Sequence, residues 1–151
     1  MSVLEQIKKQ FSRIAVTEKN DRRAYINADN DTAKAIVVYA VNELRLRLST
    51  ISGVDTRPGV ELLYHLAADR EARVITVRTL AAKPDLEINS VTPEIPAAEW
   101  VEREIAEMLG VKFTGHPNLT TLLLSDDWPA GVYPLRKQSF ESRQELKETE
   151  N

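Results

Sequence analysis

Hydrophobic positions in this chain recur with two periods, and the switches between them outline most of its elements. Val3, Leu4, Ile7 and Phe11 fall at helical spacing with Lys8, Lys9 and Gln10 opposite, which predicts a short helix over 2–12. Ser2 is placed to cap it, and Glu5 three residues later suits a capping box. A strand over 14–17, a polar turn at Lys19-Asn20-Asp21 and a returning strand over 23–28 follow. Asn30 or Asp31 is expected to cap a longer helix, about 32–46, with Ile36, Val37, Ala40, Val41 and Leu44 as its apolar stripe. Alternation then marks strands over 48–55, 60–67 and 73–80, parted by turns at Asp55-Thr56-Arg57-Pro58-Gly59 and Asp69-Arg70-Glu71. In the last of these Val74, Thr76 and Arg78 face one way, and Ile75, Val77 and Thr79 the other. Links this short favour antiparallel neighbours. The fold class expected is α+β: a mainly antiparallel sheet with helices on one face, followed by an extended C-terminal segment.

The second half is less regular. A loop over 81–93 carries a short strand at 86–91. Pro96 opens a third helix, where its missing N–H does no harm, and Gly110 closes it in the left-handed conformation. Residues 111–123 read as irregular, and Pro129-Ala130-Gly131 is a turn. From 138 onward the chain is polar with almost nothing to bury. One domain over 1–137 and a flexible tail over 138–151 are expected.

Composition narrows the functions open to such a domain. At 151 residues, 42% hydrophobic and 28% charged, it has the balance of one globular unit with a real core. The longest apolar run, AIVVYAV over 35–41, falls far short of the roughly 20 residues a bilayer span requires. No charged-then-apolar segment opens the chain, so a cytoplasmic location is expected, with the membrane reached only through partners. A net charge of -3 offers no electrostatic footprint for nucleic acid. The absence of cysteine excludes disulfides, a thiolate nucleophile and any thiolate-held cluster or nickel within this chain.

Candidate chemistry concentrates between 99 and 137, which holds both tryptophans. Val101, Ile105, Met108 and Leu109 share one side of the third helix, while Trp100, Arg103 and Glu107 project from the other, with Glu102 and Glu104 flanking them. Arg103 and Glu107, four apart, can pair. An indole among charges suggests a face that a partner covers. The loop beyond Gly110 carries Phe113, Leu119, Leu122, Leu123, Leu124 and Trp128, too much apolar area for open solvent, so it either folds back or lies against another chain. Pro134, Leu135, Arg136 and Lys137 read as a stiff, extended lead whose two cations would dock in an acidic groove. His65 reads as a packed or edge histidine; His116, ahead of Pro117, caps a turn or bonds a partner. No zinc spacing or phosphate loop occurs, and Glu102 and Glu104 point too far apart for a glycosidase pair.

Glu102-Arg103-Glu104, the acidic Glu107, two apolar residues, His116 after a six-residue gap, and Pro134-Leu135-Arg136-Lys137 resemble a family signature. The family is the thirty-kilodalton subunit of respiratory complex I, the NADH-quinone oxidoreductase, with relatives in energy-converting NiFe hydrogenases. Ile51-Ser52-Gly53-Val54-Asp55, Leu63-Tyr64-His65-Leu66 and Asn89-Ser90-Val91-Thr92-Pro93 look like its upstream segments, so the resemblance spans 46–137. The stretch 127–134 looks closer to the hydrogenase branch. Thr120 stands where the family pattern has arginine, which puts one salt bridge or partner contact in doubt.

The resemblance implies a non-catalytic structural and assembly subunit in the cytoplasmic arm of a membrane-bound, ion-translocating redox complex. Such a chain carries no cofactor; iron–sulfur clusters and NiFe or quinone belong to partner subunits. It would clamp the hydrogenase-like large subunit, alongside iron–sulfur subunits, through Trp100, Glu102, Arg103, Glu104, Glu107, Phe113, His116, Pro117, Trp128, Pro134, Leu135, Arg136 and Lys137. On that view charge reversal at Arg103 spares the fold and weakens assembly. The rivals are a stand-alone enzyme using His116 with Glu102 or Glu107, and a regulatory binding module unrelated to redox.

Overall fold

The structure is a computed structural model that describes residues 1–137; the expected tail over 138–151 lies outside the described residues. In chain order the elements are α1 (Val3–Gln10), β1 (Ala15–Asn20), β2 (Arg23–Asn27), α2 (Asn30–Asn42), β3 (Arg47–Asp55), β4 (Gly59–Ala68), β5 (Arg73–Ala82), β6 (Glu87–Asn89), α3 (Glu99–Leu109) and β7 (Lys112–Thr114). Single 3-10 turns over Asp69–Glu71 and Pro96–Ala98 complete them.

The capping box expected at Ser2 is present: its hydroxyl accepts from Glu5 N–H at 3.2 Å, and its own N–H donates to Glu5 Oε2 at 2.7 Å. The cap of α2 is Asp29 rather than Asn30 or Asp31. Its carboxylate takes both the N–H and the hydroxyl of Thr32, at 2.8 and 2.9 Å, which leaves Asn30 and Asp31 free to bond Asn89 of β6. The helix also ends at Asn42, earlier than expected, as Arg45 at φ 59 turns the chain toward β3.

Five strands form one sheet in the order β1-β2-β5-β4-β3. The β1–β2, β3–β4 and β4–β5 pairs are antiparallel as expected, but β2 and β5 run parallel. A parallel pair needs a long crossover. Here α2 and the β3–β4 hairpin supply it, and β5 is inserted between β2 and β4 instead of extending a simple meander.

Register then sorts the side chains. Ile26, Val77, Tyr64 and Ile51 pair across the sheet on one face, and Ala24, Ile75 and Leu66 lie in the next row of that face. All are buried beneath Leu4 and Ile7 of α1, Ile36, Val37 and Ala40 of α2, and Ile105 and Leu109 of α3. All three helices therefore cover one face, in agreement with the hydrophobic pattern. Each fully buried Val or Ile there contributes about 1.5–3 kcal/mol. On the opposite face His65 sits between two hydroxyls, 2.9 Å from Ser52 Oγ and 3.2 Å from Thr76 Oγ1, and its burial holds its pKa below the ordinary value.

Residues 111–123 are not wholly irregular. Phe113 is buried opposite Ile88 in a two-stranded parallel sheet of β6 and β7, and this pins the chain directly after α3.

Glycines at two close approaches separate rigid from yielding contacts. A Cβ on Gly53 would lie 2.6 Å from the end of the Leu109 side chain, whereas one on Gly59 would collide with the backbone carbonyl of Ala81. Gly59→Ala is expected to destabilise the chain by about 1–3 kcal/mol and Gly53→Ala by less, because only a side chain must move in the second case. Urea unfolding of both variants measures the difference.

Candidate partner interface

The third helix begins on the 3-10 turn at Pro96 and ends at Gly110, whose φ of 76 and N–H bond to the Ala106 carbonyl at 2.9 Å form the expected left-handed cap. A Cβ there would also press on Arg136 and lie 2.7 Å from the Tyr133 ring, so glycine is required twice over. The buried stripe of the helix is Glu102, Ile105 and Leu109.

Glu102 is the first correction to the expected surface. Its side chain is fully buried and accepts three hydrogen bonds from the segment before the helix: Ser90 Oγ at 2.5 Å, Val91 N–H at 2.8 Å and Thr92 Oγ1 at 2.7 Å. A buried carboxylate is tolerated only with such donors. It also adds to the burial that pushes the Tyr64 phenol upward.

His116 is the second correction. Its side chain is equally enclosed, with Nε2 3.8 Å from Glu102 Oε2, too long for a hydrogen bond. Nε2 instead donates to the Glu99 carbonyl at 3.1 Å, and Nδ1 accepts from Asn118 N–H at 3.0 Å. The two residues named for a stand-alone enzyme are thus brought together, but both ring nitrogens are occupied and no solvent reaches them. The turn-capping role expected for His116 is the one the geometry supports. Phe113, buried in β7, is likewise unavailable to a partner, while Pro117 is exposed.

Arg103 and Glu107 form no direct ion pair; each binds the loop that crosses the helix. Arg103 donates to the Thr120 carbonyl and hydroxyl, both at 3.1 Å, and to the Thr121 carbonyl at 2.8 Å. Glu107 accepts three successive backbone N–H groups, from Leu122 at 3.2 Å, Leu123 at 2.8 Å and Leu124 at 3.1 Å. Partial burial opposes ionisation of Glu107, but the N–H groups of Leu123, Leu124 and Leu122, with the Arg103 charge, outweigh it and hold the carboxyl below its ordinary value. Thr120, the departure from the family pattern, has its hydroxyl turned to Arg103, where an arginine would set two cations side by side. Because Arg103 is tied to the loop, its reversal is expected to loosen that loop, beyond the weakened assembly expected from the resemblance.

The loop folds back, one of the two outcomes its apolar content required. Trp128 is half-buried and its Nε1 donates to the Val132 carbonyl at 2.7 Å. Between loop and helix lies a cavity of about 440 Å³, walled by Arg103, Ala106, Leu124, Trp128 and Tyr133. The Pro134–Lys137 lead is a turn rather than an extended strand, and it docks on its own chain. Arg136 Nε caps the Leu109 carbonyl at 2.6 Å and stacks 4.3 Å from the Tyr133 ring centre; Leu135 N–H bonds the Met108 carbonyl, and Lys137 N–H the Asp55 carboxylate. A cation at the C-terminal end of a helix is favourable in itself.

Exposed around α3, then, are Trp100, Glu104, Leu119, Leu123 and Leu135. Of the residues expected to face a partner, Trp100, Glu104, Pro117, Leu135 and Lys137 are exposed. Leu119 and Leu123 belong with them, although spacing alone marks them only as loop; their placement follows from the bonds of the backbone beside them, which no spacing reveals. Among the described residues no group of three His, Asp or Glu side chains could hold a metal ion.

Comparison with known proteins places this arrangement. The family described as "Respiratory-chain NADH dehydrogenase, 30 Kd subunit" matches residues 26–145. The C subunit of the F(420)H(2) dehydrogenase of Methanosarcina mazei is 37% identical over 118 residues, 76% of this chain and 73% of its own length. The "Hydrogenase-4 component G" of Escherichia coli is 45% identical over 148 residues, which cover 94% of this chain but only 27% of that protein. A chain from the solved membrane-bound sulfane sulfur reductase, an archaeal respiratory membrane complex, superposes with a TM-score of 0.82 at 23% identity, covering 96% of this chain and 89% of the other, a likeness of fold.

Two outcomes test the inward roles. Glu102→Ala, which leaves three buried donors without an acceptor, is expected to cost about 3–5 kcal/mol in denaturant unfolding, and Glu102→Gln about 1–3 kcal/mol. Because the folded pKa of Glu107 is depressed, its contribution to holding the loop is complete above the ordinary value of 4.5 and is lost as pH falls through the lower folded value. In an NMR titration the amide shifts of Leu122, Leu123 and Leu124 should move together below that pH, and Glu107→Gln should abolish the movement.

Proposed function

The chain belongs to the respiratory-chain NADH dehydrogenase 30 kDa subunit family, and from that membership we propose that it is a structural and assembly subunit of a membrane-bound, ion-translocating redox complex. Its work is to hold a hydrogenase-like large subunit in register within the cytoplasmic arm. Electron transfer and coupled movements depend on partners fixed in position, and a rigid domain supplies that constraint. Iron–sulfur clusters, with a NiFe centre or a quinone site, belong to the partner chains, as does the membrane attachment; among the described residues no helix is long and apolar enough to cross a bilayer.

The observation that carries this reading is the set of large apolar side chains left exposed on α3 and on the segments bonded to it: Trp100 at 68%, Leu119 at 42%, Leu123 at 60% and Leu135 at 63%. Charges that would otherwise solubilise this region, Arg103, Glu107 and Arg136, are engaged in internal bonds. What remains exposed there is large apolar side chains beside Glu104, a composition that suits a protein contact. The enclosed His116–Glu102 pair offers no reactive group to solvent, which supports an accessory role. Similarity over 94% of the chain to a hydrogenase component supports the hydrogenase branch over the quinone-reducing one.

A tagged chain recovered from its native cells is expected to bring down a hydrogenase-like large subunit and iron–sulfur proteins, and to show no hydrogen or quinone turnover alone. Recovery of neither partner, or turnover by the single chain that His116→Ala removes, would overturn the reading.

A further inference from the structure

Strand β3 ends the sheet, and among the described residues no strand pairs with its outer edge. Among the described residues its backbone bonds to β4 alone. The sheet's other end is guarded: β1 carries Glu18 and Lys19, with Glu18 bridged to Lys8 and Arg73, a charged edge that resists strand addition. On β3 the irregularity lies between Leu48 and Thr50, and beyond it Ile51-Ser52-Gly53-Val54 offers neither lysine nor proline to block an incoming strand.

Beside this edge runs a groove of about 270 Å³ between residues 50–53 and Val101, Glu104, Ile105, Met108 and Leu135. Val101, Ile105, Met108 and Leu135 make one wall of it apolar, with Thr50, Ser52 and Glu104 at its polar side. Gly53 contributes no side chain to fill it, and Leu109 closes directly against that backbone. Trp100 stands one turn before Glu104 on the same side of α3. Glu104 is exposed and makes no hydrogen bond or ion pair among the described residues, unlike Glu102, Arg103 and Glu107 around it.

We propose that an extended segment of the large partner subunit adds to β3 over residues 50–55, laying alternate apolar side chains into this groove and a lysine or arginine opposite Glu104. A free strand edge offers main-chain donors and acceptors that an extended segment can pair and a helix, whose backbone groups bond internally, cannot, and the two-residue repeat of a strand points every second side chain toward the groove. Main-chain bonds give the hold, and the groove with its single carboxylate gives the choice of partner. This rests on the assembly role above and names the surface that performs it.

Hydrogen exchange of the tagged complex from native cells, set against the isolated chain, tests it. Amides within 50–55 that are not bonded to β4 should exchange at least about tenfold more slowly in the complex. Glu104→Lys should lower retention of the large subunit about tenfold while protection of β4 and β5 stays unchanged. A complex that assembles with 50–55 exchanging as freely as in the isolated chain overturns the inference and leaves the assembly role standing. Protection already complete in the isolated chain overturns it too, since the edge is then filled from within. Unchanged retention of the Glu104→Lys complex overturns the assignment of the cation, and absence of any large subunit overturns inference and assembly role together.

Discussion

The architecture around α3 depends on one buried carboxylate. The segment that leads into the helix has little regular structure of its own: the three residues of β6, a single 3-10 turn, and loop between them. Burial of Val91, Ile95 and Ala98 seats this lead on the core, but apolar contacts alone do not fix how the helix is rotated about its axis. Glu102 does so by taking Ser90, Val91 and Thr92 at once. With that stripe turned inward, Ile105 and Leu109 fall onto β3, and every other side chain of the helix receives its direction. A charge in such a place is costly to leave without its donors, so the arrangement has few neighbouring alternatives.

The loop above the helix shows how charge replaces secondary structure. An irregular backbone near a packed surface leaves carbonyls and N–H groups without partners, and these must be met. Arg103, which can only donate, takes the carbonyls of Thr120 and Thr121; Glu107, which can only accept as a carboxylate, takes the N–H groups of the next three residues. Arg136 completes the pattern on the last carbonyl of the helix, that of Leu109. Two opposite charges one helical turn apart could satisfy each other, yet each does more on the loop. An exposed helical pair is worth only a few tenths of a kcal/mol, whereas charged groups bonded to backbone contribute about 1.5–3 kcal/mol each.

Periodic signals make most of the sheet and all three helices readable. The Ser2–Glu5 box, the alternation over 73–80 and the closing glycine at 110 are local features, and local geometry decides them. The parallel β2–β5 pair is not readable, because strand order depends on where a distant hairpin lands. Nor are the destinations of Glu102 and His116. Helical spacing says which residues share a direction, but a carboxylate is read as exposed unless its donors are known, and Ser90 and Thr92 lie ten or more residues upstream in what reads as a plain loop. Pro134–Lys137 fails for the same reason: a cation suits an acidic groove and a helix end equally well, and only the fold brings Leu109 to Arg136.

Consecutive charges on a helix diverge by roughly 100 degrees per residue, so they cannot serve one surface. Glu102, Arg103 and Glu104 illustrate the consequence. The first holds the helix to the segment before it, the second holds the loop that follows, and the third makes no hydrogen bond or ion pair among the described residues. A run of three charges is therefore three separate statements about the surroundings of one helix, two of them about bonds within this chain and one about a side chain left exposed. Counting the whole run as an interface overstates the contact area. Removing the two inward residues leaves Glu104 among Trp100, Met108 and Leu135, an isolated carboxylate beside apolar surface and an open strand. On the strand addition proposed above, that would be a narrower recognition element than a charged ridge, and a more selective one, because a partner would have to match a single charge at a single position along the strand.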